Sequence, residues 1–201
     1  MRRVIGIGET ILDLLFKNNQ PTVAVPGGSV FNGLVSLGRA GAKVTFISEV
    51  GGDRVGNIIL DFMKENGICT DSVVVYPDRK SPISLAFLNE KNDAEYSFYK
   101  DYPSLRLDVD MPEVTSDDIV MFGSFYAITP QLRDKVKELL DKARKVGAII
   151  YYDVNFRSTH AHEAIKLMPT ILENFEYADI VRGSTEDFGN MFGMTDADKV
   201  Y

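Results

Sequence analysis

Apolar positions along this chain switch between the period of a strand and the period of a helix. Val4 to Ile7 is a short apolar run closed by Gly8, as in a strand buried in a parallel sheet. Gly27-Gly28 opens a stretch in which Val30, Phe31, Leu34, Val35 and Leu37 recur at helical spacing, and Gly41 closes it after Ala40. Val44 to Ile47 reads as strand. Val55, Ile58, Ile59, Phe62 and Met63 then mark one face of a helix, which Asn66-Gly67 ends as a left-handed cap.

Residues 73 to 100 change character. Val73 to Tyr76, Ile83 to Leu88 and Tyr96 to Tyr99 are β-rich, and the polar run Asn89 to Asp93 predicts a hairpin turn, so this stretch is expected as an antiparallel excursion. The alternation resumes with Ile119 to Phe122 as strand. Thr129-Pro130 follows as cap and first turn of a helix carrying Leu132, Val136, Leu139, Leu140 and Ala143. Ala148 to Tyr152 is the next strand, Ala161 to Asn174 a helical stretch interrupted at Pro169, Ile180-Val181 a short strand, and Ser184-Thr185 a helix start. The pattern predicts a mostly parallel, helix-covered α/β sheet with a small separate sheet beside it.

Composition narrows the function classes. The 201 residues and 45% apolar content fit one domain with a single core. A net charge of -7 argues against a nucleic-acid partner, whose backbone is met by clustered Lys and Arg. Cys69 is the only cysteine, so no intrachain disulfide forms, and His160 and His162 are too few for a zinc site. Neither a signal-peptide core nor a run of ~20 apolar residues is present, which predicts a cytoplasmic protein with no membrane partner.

Gly6 and Gly8 follow the first strand, but Ile11 stands where a dinucleotide fingerprint needs its third glycine. Gly27-Gly28-Ser29-Val30-Phe31-Asn32 places small residues before a helix and a polar side chain on its first turn; this is a ligand approach or an ordinary loop. Asp13 lies on the strand face opposite Leu12 and Leu14, either solvated or placed to hold sugar hydroxyls. Asp153-Val154-Asn155-Phe156-Arg157 follows a buried strand at the carboxyl end, where open α/β sheets bind ligands, and Arg157 suits phosphate oxygens; a structural ion pair is the other reading.

Together these segments resemble the PfkB (ribokinase/fructokinase) carbohydrate kinases. The matches are Gly8 to Asp13, Gly27 to Asn32 continuing through Gly38-Arg39-Ala40-Gly41, Val50-Gly51-Gly52-Asp53-Arg54-Val55-Gly56, and Asp153 to Arg157, in family order over essentially the whole chain. The resemblance implies a ribokinase-like three-layer α/β/α domain over residues 1–201, with a β-lid from about 11–26 and 73–105. It implies a fructokinase-like phosphotransferase acting on a primary hydroxyl, with ATP, Mg²⁺ and a monovalent cation as cofactors.

By the same resemblance Asp13, Gly27, Gly28, Asn32 and Lys100 hold the sugar. Asn155, Arg157 and Ser184 sit towards the nucleotide, Arg157 supporting transfer, and Asp187 lies indirectly near the metal. Relatives often carry arginine where this chain has Lys100, and an Asn-x-x-Glu motif appears here as Ser184-Thr185-Glu186-Asp187. The family's glycine-rich signature with the catalytic base is expected beyond Tyr201, so the chain reads as the N-terminal two-thirds of a kinase, inactive by itself. Ribokinase, 2-keto-3-deoxygluconate kinase and nucleoside kinase are the alternatives within the family, and a non-catalytic sugar-binding or dimerisation module the alternative outside it. Exposed lid strands near residues 12–16 and 83–100 predict a homodimer.

Overall fold

Val4 to Ile7 is buried at every position because it runs between parallel neighbours in a sheet covered on both faces. The computed structural model describes residues 2–90 and 94–200. Along the chain follow β1 (Val4–Ile7), β2 (Ile11–Lys17), β3 (Gln20–Gly27), α1 (Ser29–Arg39), β4 (Val44–Gly51), α2 (Arg54–Glu65), β5 (Ile68–Cys69), β6 (Val73–Tyr76), β7 (Ile83–Leu88) and β8 (Ala94–Tyr99). Then come β9 (Ile119–Gly123), α3 (Arg133–Val146), β10 (Ile149–Asp153), α4 (Ala164–Tyr177), β11 (Ile180–Arg182), α5 (Thr185–Phe192) and α6 (Ala197–Val200). The turn expected across Asn89 to Asp93 runs into residues 91–93, outside the described residues.

The large sheet has the order β11-β10-β9-β1-β4, with β5 and β6 both on β4, and all its pairings are parallel. Successive side chains of β1 enter opposite cores. Ile5 and Ile7 join Val120, Phe122, Leu139, Leu140 and Tyr152 towards α3 and α4. Val4 joins Phe31, Leu34, Phe46, Ile59 and Met63 towards α1 and α2. This is the expected three-layer α/β/α arrangement. Among the described residues no helix is long and apolar enough to cross a membrane.

The second sheet has the order β3-β2-β7-β8. It is mixed and not purely antiparallel: β2 runs parallel to β7, because the chain leaves this sheet after β3, crosses the core and returns in the same direction. Val73 to Tyr76, expected in the excursion, belongs to the large sheet instead. Ser48 to Gly51 extend β4 past Ile47, and β6 pairs with that extension from Ser48↔Val73 to Gly51↔Tyr76. A valine-rich strand carries no sign of which sheet it will join, and Ser48 and Glu49 hide the extension because buried polar residues read as strand end.

Two helix expectations are also corrected. Thr129 does not cap α3: its hydroxyl donates to the Phe125 carbonyl at 2.9 Å, Pro130–Leu132 forms a 3-10 turn, and the helix starts at Arg133. Residues 158–163 are likewise a 3-10 turn, and α4 runs unbroken through Pro169. Pro169 is exposed, so the carbonyl left without its helical partner faces water. Pro169→Ala restores that bond and is expected to raise stability by about 1 to 3 kcal/mol in urea denaturation; an unchanged midpoint would mean that the helix has already relaxed around the ring.

Candidate functional site

The carboxyl ends of neighbouring β1, β9 and β10 lie together, and Ser29 at the start of α1 reaches them by donating to Asp153 Oδ2 at 3.3 Å. Asp153 ends β10 and also takes Arg182 Nη1 at 3.0 Å, so one carboxylate ties α1, β10 and β11. This is the ligand side of an open parallel sheet.

Asp13 comes to this side from β2. Its Oδ1 accepts a hydrogen bond from the Ser84 hydroxyl on the paired strand β7. A Cβ on Gly27 would overlap its Oδ2, so the missing side chain at 27 is what admits the carboxylate. Burial pushes the Asp13 carboxyl above the usual carboxylate range; the Ser84 bond opposes that rise and the Glu9 charge adds to it.

Gly28 sits at φ 144°, and a Cβ there would also strike the Glu9 carbonyl, so glycine is required on two grounds. It is the N-cap of α1 without a side-chain cap, which leaves the first amides of the helix facing this cleft. Asn32 lies one turn further along, exposed, its amide N–H bonded to the Gly28 carbonyl at 2.9 Å.

Lys100, just past β8, pairs with Glu9 at 2.6 Å, and the Tyr102 hydroxyl donates to the same Glu9 oxygen. Behind them Arg106 stacks on the Tyr102 ring at 3.5 Å and forms a buried ion pair with Glu49, whose second oxygen takes the Leu107 amide at 3.1 Å. Burial, with the Glu9 charge beside it, pushes the Tyr102 hydroxyl far above its ordinary value, so it stays a donor.

On the other flank Asn155 adopts φ 42°, a left-handed conformation that asparagine tolerates better than most side chains. The next residue is held by Asn190, whose Nδ2 donates to the Phe156 carbonyl at 3.1 Å. Arg157 is exposed and makes no ion pair among the described residues. Ser184 and Asp187 form a capping box on α5: Asp187 Oδ2 accepts from the Ser184 amide and hydroxyl, each at 2.7 Å, and Ser184 Oγ accepts from the Asp187 amide at 3.2 Å.

The structure therefore brings Asp13, Gly27 and Gly28 to one opening and attaches Lys100 to it through Glu9. It places Asn155 and Arg157 beyond Asp153, and it engages Ser184 and Asp187 with each other. Glu9, Ser84, Tyr102 and the Glu49–Arg106 pair were not singled out in the sequence. Glu9 had a signal, because it lies just past β1 at the carboxyl side of the sheet, where Asp153 ends β10. Ser84 had none, since its partner lies 71 residues away.

The pfkB family carbohydrate kinase profile matches residues 1–200. A probable fructokinase-4 of Arabidopsis thaliana is 24% identical over 98% of this chain and 63% of its own length. The fructokinase of Vibrio cholerae O395 in apo form superposes with a TM-score of 0.83 at 20% identity, covering 99% of this chain and 69% of that one. Its double mutant with fructose, ADP and potassium bound gives the same TM-score of 0.83 at 20% identity, over 99% of this chain and 65% of that one. The chain thus spans less than two thirds of the length of that curated relative. By its sequence profile over residues 1–200, and with a fold that superposes on these kinases along 99% of its own length, the chain belongs to the pfkB family of carbohydrate kinases.

Proposed function

We propose that the chain forms the sugar-holding part of a fructokinase-like, ATP-dependent kinase that phosphorylates a primary hydroxyl of a small sugar. The observation that carries this reading is the Asp13 carboxylate, fixed by Ser84 over the glycine opening of α1. A fixed carboxylate, helix amides and the side-chain amide of exposed Asn32 are complementary to vicinal hydroxyls, which both donate and accept. Asn155 and Arg157, which makes no ion pair among the described residues, suit the phosphate side.

The Vibrio cholerae double mutant holds fructose, ADP and a potassium ion; we carry fructose, ATP and a monovalent cation over as ligands of the whole kinase. Asp187 is buried and engaged in its cap, which does not fit direct coordination of Mg²⁺. ATP supplies the phosphoryl group in this reading. The second sheet serves as lid, excluding water as a competing acceptor.

The lid also supports a homodimer. Val25, Asp13, Ser84 and Phe98 pair in one row across the sheet, and Val23, Leu15, Ala86 and Tyr96 in the next, so exposed Val23, Val25, Tyr96 and Phe98 share the face that carries Asp13. A second copy of this chain would cover that apolar edge. Sedimentation equilibrium is expected to give twice the chain mass for the wild type and the chain mass for Phe98→Glu; a monomeric wild type at micromolar concentration contradicts the dimer.

The test of function is calorimetric titration with fructose, ribose and 2-keto-3-deoxygluconate beside a coupled ADP-release assay. Sugar binding without ADP release is the expected result for this chain. Release of ADP would show that it already carries the transfer machinery, and absence of binding to every sugar would refute the reading.

A further inference from the structure

The wall of the cleft matches its cations to carboxylates. Lys100 Nζ lies 2.6 Å from Glu9 Oε1, and Tyr102 donates to that same oxygen, holding the carboxylate from a second side. Arg106, stacked behind Tyr102, is taken by buried Glu49, and Arg182 by Asp153 at 3.0 Å. His160 also feels the Lys100 charge, and burial lowers its pKa, so it is neutral at pH 7 and adds no positive charge. Asp13 is left with a neutral partner, the Ser84 hydroxyl, and is close enough to Glu9 to feel its charge. Gly28 lies against the Glu9 backbone, so Glu9 and the opening of α1 form one wall.

Resting on the sugar-kinase reading above, we propose that Glu9 is a specificity-determining residue: by pairing with Lys100 it leaves a pocket that takes an uncharged sugar and turns away a sugar acid. An entering carboxylate meets Asp13 and Glu9 with the Lys100 ammonium already taken, and like-charge juxtaposition disfavours it. Hydroxyls meet no such penalty, because the same carboxylates accept from them. Arg157, exposed beyond β10, lies outside this set of contacts and remains for phosphate oxygens.

Because the Lys100 and Glu9 side chains keep 34% and 28% exposure, the discrimination is moderated by solvent and amounts to about tenfold. The test is calorimetry with fructose and with 2-dehydro-3-deoxygluconate on the chain, on Glu9→Gln and on Lys100→Met. The wild type is expected to favour fructose about tenfold; Glu9→Gln is expected to reduce that preference about tenfold by freeing the ammonium, and Lys100→Met to increase it. Opposite shifts from two substitutions in one ion pair cannot come from loss of folding alone. A wild type that prefers the acid, or variants that bind with an unchanged ratio, would overturn the proposal. Acetate, followed through amide NMR shifts at residue 100, separates the two ideas if neither sugar binds. Shifts in Glu9→Gln alone would then uphold the charge matching while the sugar reading falls, and equal behaviour of wild type and variant would refute the matching.

Discussion

Asp13→Asn is expected to weaken fructose binding by about a hundredfold while making the protein more stable at pH 7. The loss follows from replacing charge-assisted hydrogen bonds to sugar hydroxyls, each worth about 1.5 to 3 kcal/mol, with neutral ones. The gain follows from the raised Asp13 carboxyl, whose dominant cause is burial. Below the ordinary carboxylate value both folded and unfolded chains hold the proton, and the residue carries no ionisation penalty. As the pH rises towards the raised folded value, the unfolded chain ionises first, and that part of the stability is lost. Wild type and Asp13→Asn should therefore have similar melting temperatures near pH 3 and separate at neutral pH, with the variant higher. Fructose affinity of the wild type should fall as the pH drops through the same window. A variant that binds as well as wild type would remove Asp13 from the site.

Arg106→Met is expected to have the largest effect on stability, a loss of about 3 to 5 kcal/mol, because it strands a buried carboxylate. The Arg106 and Glu49 side chains are only 8% and 3% exposed, and the Leu107 amide is the main partner Glu49 would retain. Adding Glu49→Gln to Arg106→Met should recover most of the loss, since the amide oxygen still accepts from Leu107 and no charge remains. Urea denaturation of both variants checks this. A single variant as stable as wild type would mean that water reaches Glu49.

Apart from the short β5, the strands and helices around the large sheet were legible because burial on both faces writes continuous apolar runs, as at Val4 to Ile7, and helix faces write spaced ones, as at Val30 to Leu37. Strand partners were not, because register and sheet membership depend on contacts far apart in sequence. Val73 to Tyr76 has the composition of a lid strand and the position of a core one. The glycines at 27 and 28 were readable as a place of close approach, which the Asp13 carboxylate and the Glu9 carbonyl make, because such approach demands a missing side chain. The partners that tune the site were not, because Ser84 and Tyr102 are ordinary residues until β7 and the segment after β8 bring them to Asp13 and Glu9. Pro169 misleads for a similar reason: the rule that ends a helix at proline ignores an exposed face where water satisfies the freed carbonyl.

Amide NMR titration of the chain with fructose reads out whether a sugar sits between Asp13 and the opening of α1. Saturable shifts are expected at Gly27, Gly28, Asn32 and Ser84, absent from Asp13→Asn. Shifts confined to other regions, or identical in the variant, would contradict it.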